Sequence, residues 1–174
     1  MMKKIMVIGI SAGVGKSTFA RKLGESLNLP VVHLDKLFWK PNWVEASLEE
    51  FTKAQQEIVI QDQWIIEGNY TNTFDLRAAH ADTMIYLELP LQVCLFRVVK
   101  RWLMNLGKTR PDMTAGCEEK LDWAFIKFII TTYYPRKQKM NDRLQNFLKT
   151  GPAKQVITLK SKKEIQAYLE NVKK

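Results

Sequence analysis

The stretch Ala12-Gly13-Val14-Gly15-Lys16-Ser17-Thr18 constrains this chain more than any other. An apolar run from Ile5 to Ile10 precedes it, and Phe19-Ala20-Arg21-Lys22-Leu23 follows. The pattern predicts a strand, a glycine-rich turn and a helix. Such a turn holds phosphate. Gly13 and Gly15 let the backbone wrap closely with its N–H groups inward, and the helix N-terminus adds partial positive charge. Lys16 would reach the β- and γ-phosphates of ATP, the Ser17 hydroxyl would ligate Mg²⁺, and Thr18 would lie beside the α-phosphate. The full pattern places a further glycine at residue 10. Here residue 10 is Ile, and the nearest glycine is Gly9. The Gly-x-Gly-Lys-Ser-Thr core is intact and stands in its strand-to-helix context. A plain strand-to-helix turn with a lysine at the helix start is the competing reading.

The rest of the chain alternates strands with helices. Residues 3–9 are apolar without alternation, as in a parallel strand buried on both faces. Residues 17–28 carry Phe19, Leu23 and Leu27 at helical spacing. Val31 to Leu34 is a second strand. Residues 35–43, with Phe38, Trp39 and Trp43 among charges and Pro41, read as a loop. Its rings either face a substrate or form a satellite hydrophobic cluster. Ser47-Leu48-Glu49-Glu50 is a capping box that opens a helix running to about residue 61. Strands are predicted at 64–66 and 83–87, with a short helix at 74–79 between them. Residues 91–106 form a helix that puts Arg97 and Arg101 on one face.

Residues 107–120 show no periodicity and read as a mobile loop with a basic end. Two helices follow, 122–133 and 136–148, divided at Pro135. The fifth strand is 155–159, and Ser161-Lys162-Lys163-Glu164 opens the last helix. This is an α/β fold, a five-stranded parallel sheet flanked by helices in a single domain over residues 1–174. In such sheets ligands gather at the carboxyl ends of the strands. That rule groups the turn at 13–18 with Asp35, Glu67 and Arg97.

Composition narrows the function classes. Hydrophobic residues are 46% and charged residues 26%, which suits a packed core and excludes a disordered chain. Cys94 and Cys117 make no disulfide framework, so reduced thiols in a cytoplasmic protein are expected. No stretch is apolar for long enough to predict a membrane span. The net charge of +9 is uneven: residues 1–94 balance at −2 and residues 95–174 at +11. Excess positive charge suits polyphosphate substrates and also permits nucleic acid. No aromatic-interleaved basic tract is present, and no Asn-Lys-x-Asp guanine motif. Nothing in the cysteine and histidine spacing suggests a structural zinc site.

Several blocks resemble known families. Trp64-Ile65-Ile66-Glu67-Gly68, Ala81 through Pro90 and the Arg97–Arg101 spacing resemble the adenylate-kinase-like P-loop kinases. His33-Leu34-Asp35-Lys36-Leu37-Phe38-Trp39, Glu67-Gly68-Asn69-Tyr70 and Gly107 through Met113, continuing to Trp123, resemble the bacterial DNA topology modulation family. The resemblance implies a kinase transferring the ATP γ-phosphoryl group to a small acceptor such as a nucleoside or nucleotide. A DNA-binding protein with a regulatory nucleotide site is the alternative. The resemblance makes Asp35 an acid that takes the acceptor's proton or holds Mg²⁺ through water, and Glu67 an orderer of Mg²⁺ waters. It makes residues 107–120 a lid. Arg97, Arg101 and Arg110, with Lys16, would neutralise charge growing on the transferred group. Lys160 and Ser161 fall where related kinases place the adenine loop, although the capping box already accounts for Ser161.

Overall fold

The computed structural model describes residues 2–151 and 153–172. Five parallel strands form the main sheet: β1 (Lys4–Gly9), β2 (Val31–His33), β5 (Trp64–Glu67), β6 (Thr83–Leu87) and β7 (Gln155–Leu159). Their order across the sheet is β2-β5-β1-β6-β7. The most apolar strand is therefore central, and Ile5 through Ile8 are buried between helices on both faces. The chain leaves β1 toward one edge and later crosses to the other. Such a reversal opens a crevice at the carboxyl end of the central strand, where β1 ends at Gly9.

Helices α1 (Lys16–Leu27), α3 (Leu48–Val59), α4 (Phe74–His80), α5 (Leu91–Met104), α6 (Trp123–Lys149) and α7 (Lys162–Val172) cover the sheet. Helix α3 starts with the predicted capping box. The Ser47 hydroxyl accepts from the Glu50 N–H at 3.1 Å, and the Glu50 carboxylate accepts from the Ser47 N–H at 2.9 Å. At α7 the Ser161 hydroxyl accepts from the Glu164 N–H, while the Glu164 carboxylate accepts from the N–H of Lys160.

Two elements differ from the sequence reading. Residues 35–43 are not a loop. They fold as a short helix, α2 (Leu34–Phe38), and then as β3 (Trp39–Lys40), which pairs antiparallel with β4 (Val44–Glu45) across a 3-10 turn. Their rings drive this packing: Phe38 lies 4.8 Å from Tyr70 and 5.2 Å from Phe51, and Trp39 lies 5.2 Å from Trp43 between ring centroids. The second difference is Pro135, which does not divide two helices; α6 runs through it. Proline removes one backbone hydrogen bond and costs about 3 kcal/mol inside a helix. Ile129, Tyr133, Met140, Leu144 and Phe147 form one buried stripe across it. At about 1.5–3 kcal/mol for each large apolar side chain, that stripe outweighs the proline.

Candidate functional site

The turn after β1 is built around two glycines. Gly13 has φ +77°, and a Cβ there would stand 2.2 Å from the Cys94 carbonyl oxygen of α5. The turn thus lies flat against α5 because Gly13 has no side chain. Gly9 answers the question raised by Ile10. A Cβ on Gly9 would meet Val14 Cγ1 at 2.5 Å and Lys16 Cγ at 3.0 Å. The close approach that the pattern assigns to residue 10 is made at residue 9, so the turn is one residue longer. Ile10 is instead a core residue, and its N–H donates to the Leu87 carbonyl at 2.9 Å. Gly15 caps α1 in the left-handed region.

Around this turn the side chains are tied by specific contacts. Lys16 Nζ donates to the Ser11 carbonyl at 3.5 Å. Arg97 reaches from α5 and donates to the Val14 carbonyl at 3.0 Å, so its guanidinium lies against the turn. The block Glu67-Gly68-Asn69-Tyr70 fixes three neighbours at once. Glu67 is buried and its Oε1 lies 2.8 Å from His33 Nδ1, a pairing set by the β2–β5 register that places His33 opposite Glu67. Asn69 clamps Gly9 from both sides: its Oδ1 accepts from the Gly9 N–H at 3.0 Å and its amide donates to the Gly9 carbonyl at 2.6 Å. The Tyr70 hydroxyl donates to Asp35 Oδ1 at 2.8 Å. Beneath the block, the fully buried Arg77 donates to the carbonyls of Gly68, Tyr70 and Thr73. Burial pushes its pKa down to about 10, which leaves it charged at neutral pH.

Asp35 sits in the first turn of α2. Burial, and then the charge of Glu67, push its pKa above the ordinary carboxylate value; Tyr70, Lys16 and Arg110 pull the other way. A carboxylate so placed takes up a proton more readily than an exposed one. Asp35, Glu67, Lys16 and Arg110 therefore share one electrostatic neighbourhood.

Residues 107–120 contain no helix or strand of their own, only an isolated bridge between Thr109 and Glu118. They are nevertheless packed, with Met113, Cys117 and Glu119 buried. The segment lies on residues 36–43. Thr114 donates to the Lys36 carbonyl at 3.2 Å, Asn42 donates to the Gly116 carbonyl at 3.3 Å, and Trp43 Nε1 donates to the Glu118 carbonyl at 3.1 Å. Arg110 pairs with Asp112 at 2.8 Å and with Glu119 at 2.6 Å, and Arg101 pairs with the same Glu119 at 2.7 Å. Burial opposes the charge of Asp112, but Arg110 and the Ser17 side chain more than offset it and its pKa is lowered. The segment thus brings a carboxylate to the helix start beside the phosphate turn.

Arg101 and Arg110 are joined through a shared buried acid. Removing it leaves two guanidinium groups short of a partner, and breaking a buried pair costs about 3 kcal/mol. Glu119→Ala is therefore expected to lower unfolding free energy in urea by that amount. A change within about 0.5 kcal/mol, the ordinary surface value, would show that Glu119 holds neither arginine.

Lys160 and Ser161 lie at the carboxyl end of β7. Lys160 lines a cavity of about 310 Å³ with Glu88, Leu91, Gln92, Tyr133 and Lys137, and no residue of the phosphate turn contributes to that wall. Ser161 is occupied with capping α7. Among the described residues no three His, Cys, Asp or Glu side chains gather into a metal-holding group. Asp35 and Glu67 are neighbours, and Ser17 lies in the first turn of α1, so a cation there would depend on phosphate oxygens and water for its remaining ligands. Among the described residues no helix is long and apolar enough to cross a membrane.

Sequence reasoning named Glu67 but missed the roles of Asn69, Tyr70, Arg77, Asp112 and Glu119. The signal for the first two was available: polar residues directly after a buried strand that points at a phosphate turn.

No protein-family model matches the chain. It is 27% identical over 141 residues to the uncharacterized protein YqaC of Bacillus subtilis (strain 168), covering 72% of this chain and 73% of that one. Among solved structures it resembles shikimate kinase from Acinetobacter baumannii in complex with shikimate, with a TM-score of 0.53 and 13% identity over 99% of this chain and 91% of that chain. It also resembles deoxyadenosine kinase from M. mycoides with bound dATP, with a TM-score of 0.50 and 12% identity over 99% of this chain and 100% of that chain. The five-stranded parallel sheet flanked by helices is the fold of these P-loop kinases.

Proposed function

We propose that the protein is a small ATP-dependent kinase that transfers the γ-phosphoryl group to a hydroxyl of a small acceptor. The observation that carries this reading is one arrangement at one end of the sheet. The glycine turn, Lys16 and Arg97 stand beside a buried acid, Asp35, that Tyr70 holds in place. Two further features fit a polyphosphate. Gly13 leaves a cradle that a Cβ would fill, and the fully buried Ser11 hydroxyl has no partner among the described residues. In this reading the backbone N–H groups of residues 13–18 and the start of α1 hold the phosphates. Ser17, with Asp35 and Glu67 through water, would hold Mg²⁺. That ion, when bound, supplies charge neutralisation across the β- and γ-phosphate oxygens.

Asp35 orients the acceptor hydroxyl and takes its proton. Tyr70 fixes the carboxylate and Asn69 fixes the turn. Arg97, Arg101 and Arg110 lower the cost of charge at the transferred group, their planar forks matching its oxygens. Residues 107–120 act as the lid, excluding water so that the acceptor and not solvent is phosphorylated. Lys160 and Ser161 would border the base of the nucleotide. The likeness to the DNA topology modulation family bears on this reading only through its kinase fold. DNA binding rests on the +11 balance of residues 95–174 alone. A gel shift titrated with salt tests it, since phosphate contacts give a steep slope and persist at nanomolar protein only when many are made.

The deciding experiment is thermal stabilisation by Mg·ATP. Binding to the folded state at a hundredfold above Kd adds about 2.7 kcal/mol, which raises Tm by several degrees. Wild type should show this shift, and Lys16→Ala should lose it while keeping its own melting transition. Equal shifts in both proteins would remove Lys16, and with it the turn, from the nucleotide site.

A further inference from the structure

The acceptor's side of the site is made by α2, the β3–β4 hairpin and the residues after β5, and it carries acids and rings. Asp35 and Glu67 are close enough for the charge of one to resist that of the other. Phe38, Trp39 and Tyr70 stand beside Asp35 as a connected ring cluster. Phe38 lies 5.0 Å from Trp39 and 4.8 Å from Tyr70 between centroids. Cations on this side are committed elsewhere. Arg77 is the only arginine between residues 22 and 96, and its guanidinium is spent on three backbone carbonyls. Lys40 pairs with Glu50 at 2.9 Å, and Lys53 is exposed on α3, whose inward face is Phe51, Gln55 and Val59. Lys36 is left, exposed on α2.

An anionic acceptor entering here would lose its hydration beside two carboxylates with no guanidinium fork on that side to receive it, which is unfavourable. A flat neutral molecule would instead cover the edges of Trp39 and Tyr70 and present a hydroxyl to Asp35. We infer that the phosphoryl acceptor is an uncharged hydroxyl compound with a flat face, the class to which nucleosides belong, and not a phosphate ester or a carboxylic acid. This rests on the kinase reading above.

Matched pairs test it: nucleosides against their 5′-monophosphates, and a neutral sugar against its aldonic acid, each scored for ADP release with Mg·ATP. The thermal shift with Mg·ATP is recorded on the same protein. Expected is an ATP shift together with a kcat/KM at least tenfold higher for a nucleoside than for its monophosphate. An ATP shift with a smaller ratio, with preference for the charged member, or with no nucleoside turned over overturns this inference and leaves the kinase reading standing. Loss of the ATP shift itself overturns both. Lys36→Gln supplies a second check. KM for the best acceptor should change less than twofold; a rise above tenfold would show an acceptor anion held by Lys36, and would overturn the assignment.

Discussion

Asp35→Asn is expected to abolish most turnover without weakening the fold. Asparagine keeps the shape, and its oxygen still accepts from the Tyr70 hydroxyl, which stands 2.8 Å from Asp35 Oδ1. It cannot take a proton. Loss of a positioned general base costs about 10²–10⁴ in rate, and kcat should fall by that factor while the Mg·ATP thermal shift persists. The direction for stability follows from linkage. The folded pKa of Asp35 lies above its unfolded value because of burial first and Glu67 second. Between those two values the folded state binds more protons than the unfolded state, so stability falls as pH rises through that window. Above it, the charged carboxylate is a standing cost. Asparagine removes that cost, so the variant should be at least as stable as wild type at pH 7 and should lose this part of the pH dependence. Rate has the opposite sense in wild type: the base works when deprotonated, and kcat/KM should climb with pH through the raised pKa. Turnover unchanged in Asp35→Asn would reduce Asp35 to a partner for Tyr70. A variant less stable at pH 7 would contradict the burial of its charge.

The sheet was legible because its signals are local. Ile5 to Ile8, Trp64 to Ile66 and Thr83 to Leu87 are short apolar runs bounded by turn residues, and each lies in a strand. The two capping boxes were legible for the same reason, since Ser47 and Ser161 each act on a residue three places away. Pro135 misled because its local cost is plain in the sequence, whereas the stripe from Ile129 to Phe147 that outweighs it shows only against the sheet. Residues 35–43 misled in the same way. Charges and Pro41 argue for a loop, but the rings pack on Phe51 and Tyr70, which come from other elements. At the site, the phosphate turn could be named from its spacing. Asn69 on Gly9, 60 residues apart, and Glu119 between Arg101 and Arg110 could not. Those contacts depend on register and on how residues 107–120 pack, and neither is written in any short window.

Gly13→Ala should cost more than any other single methyl group added to the turn. Two penalties coincide there. A non-glycine residue at φ +77° sits in the left-handed region, at a cost of about 1–2 kcal/mol. The added Cβ would also stand 2.2 Å from the Cys94 carbonyl oxygen and 2.9 Å from Val98 Cγ2. Backbone oxygen on a helix cannot swing aside as a side chain can, so either α5 or the turn must move, and overpacking of this kind adds about 1–3 kcal/mol. Gly107→Ala separates the two penalties. Its φ is +65°, but a Cβ there meets nothing within 4 Å, so only the backbone cost applies. In urea titrations Gly13→Ala should lose clearly more stability than Gly107→Ala. The function should fail further than the stability. Moving the turn away from α5 shifts the backbone N–H groups of residues 13–18 and withdraws the Val14 carbonyl from Arg97, now 3.0 Å away. The Mg·ATP thermal shift should then vanish in Gly13→Ala at temperatures where circular dichroism still reports a folded sheet. If Gly13→Ala binds Mg·ATP as wild type does, the phosphates are held somewhere other than this turn, and the kinase reading falls with it.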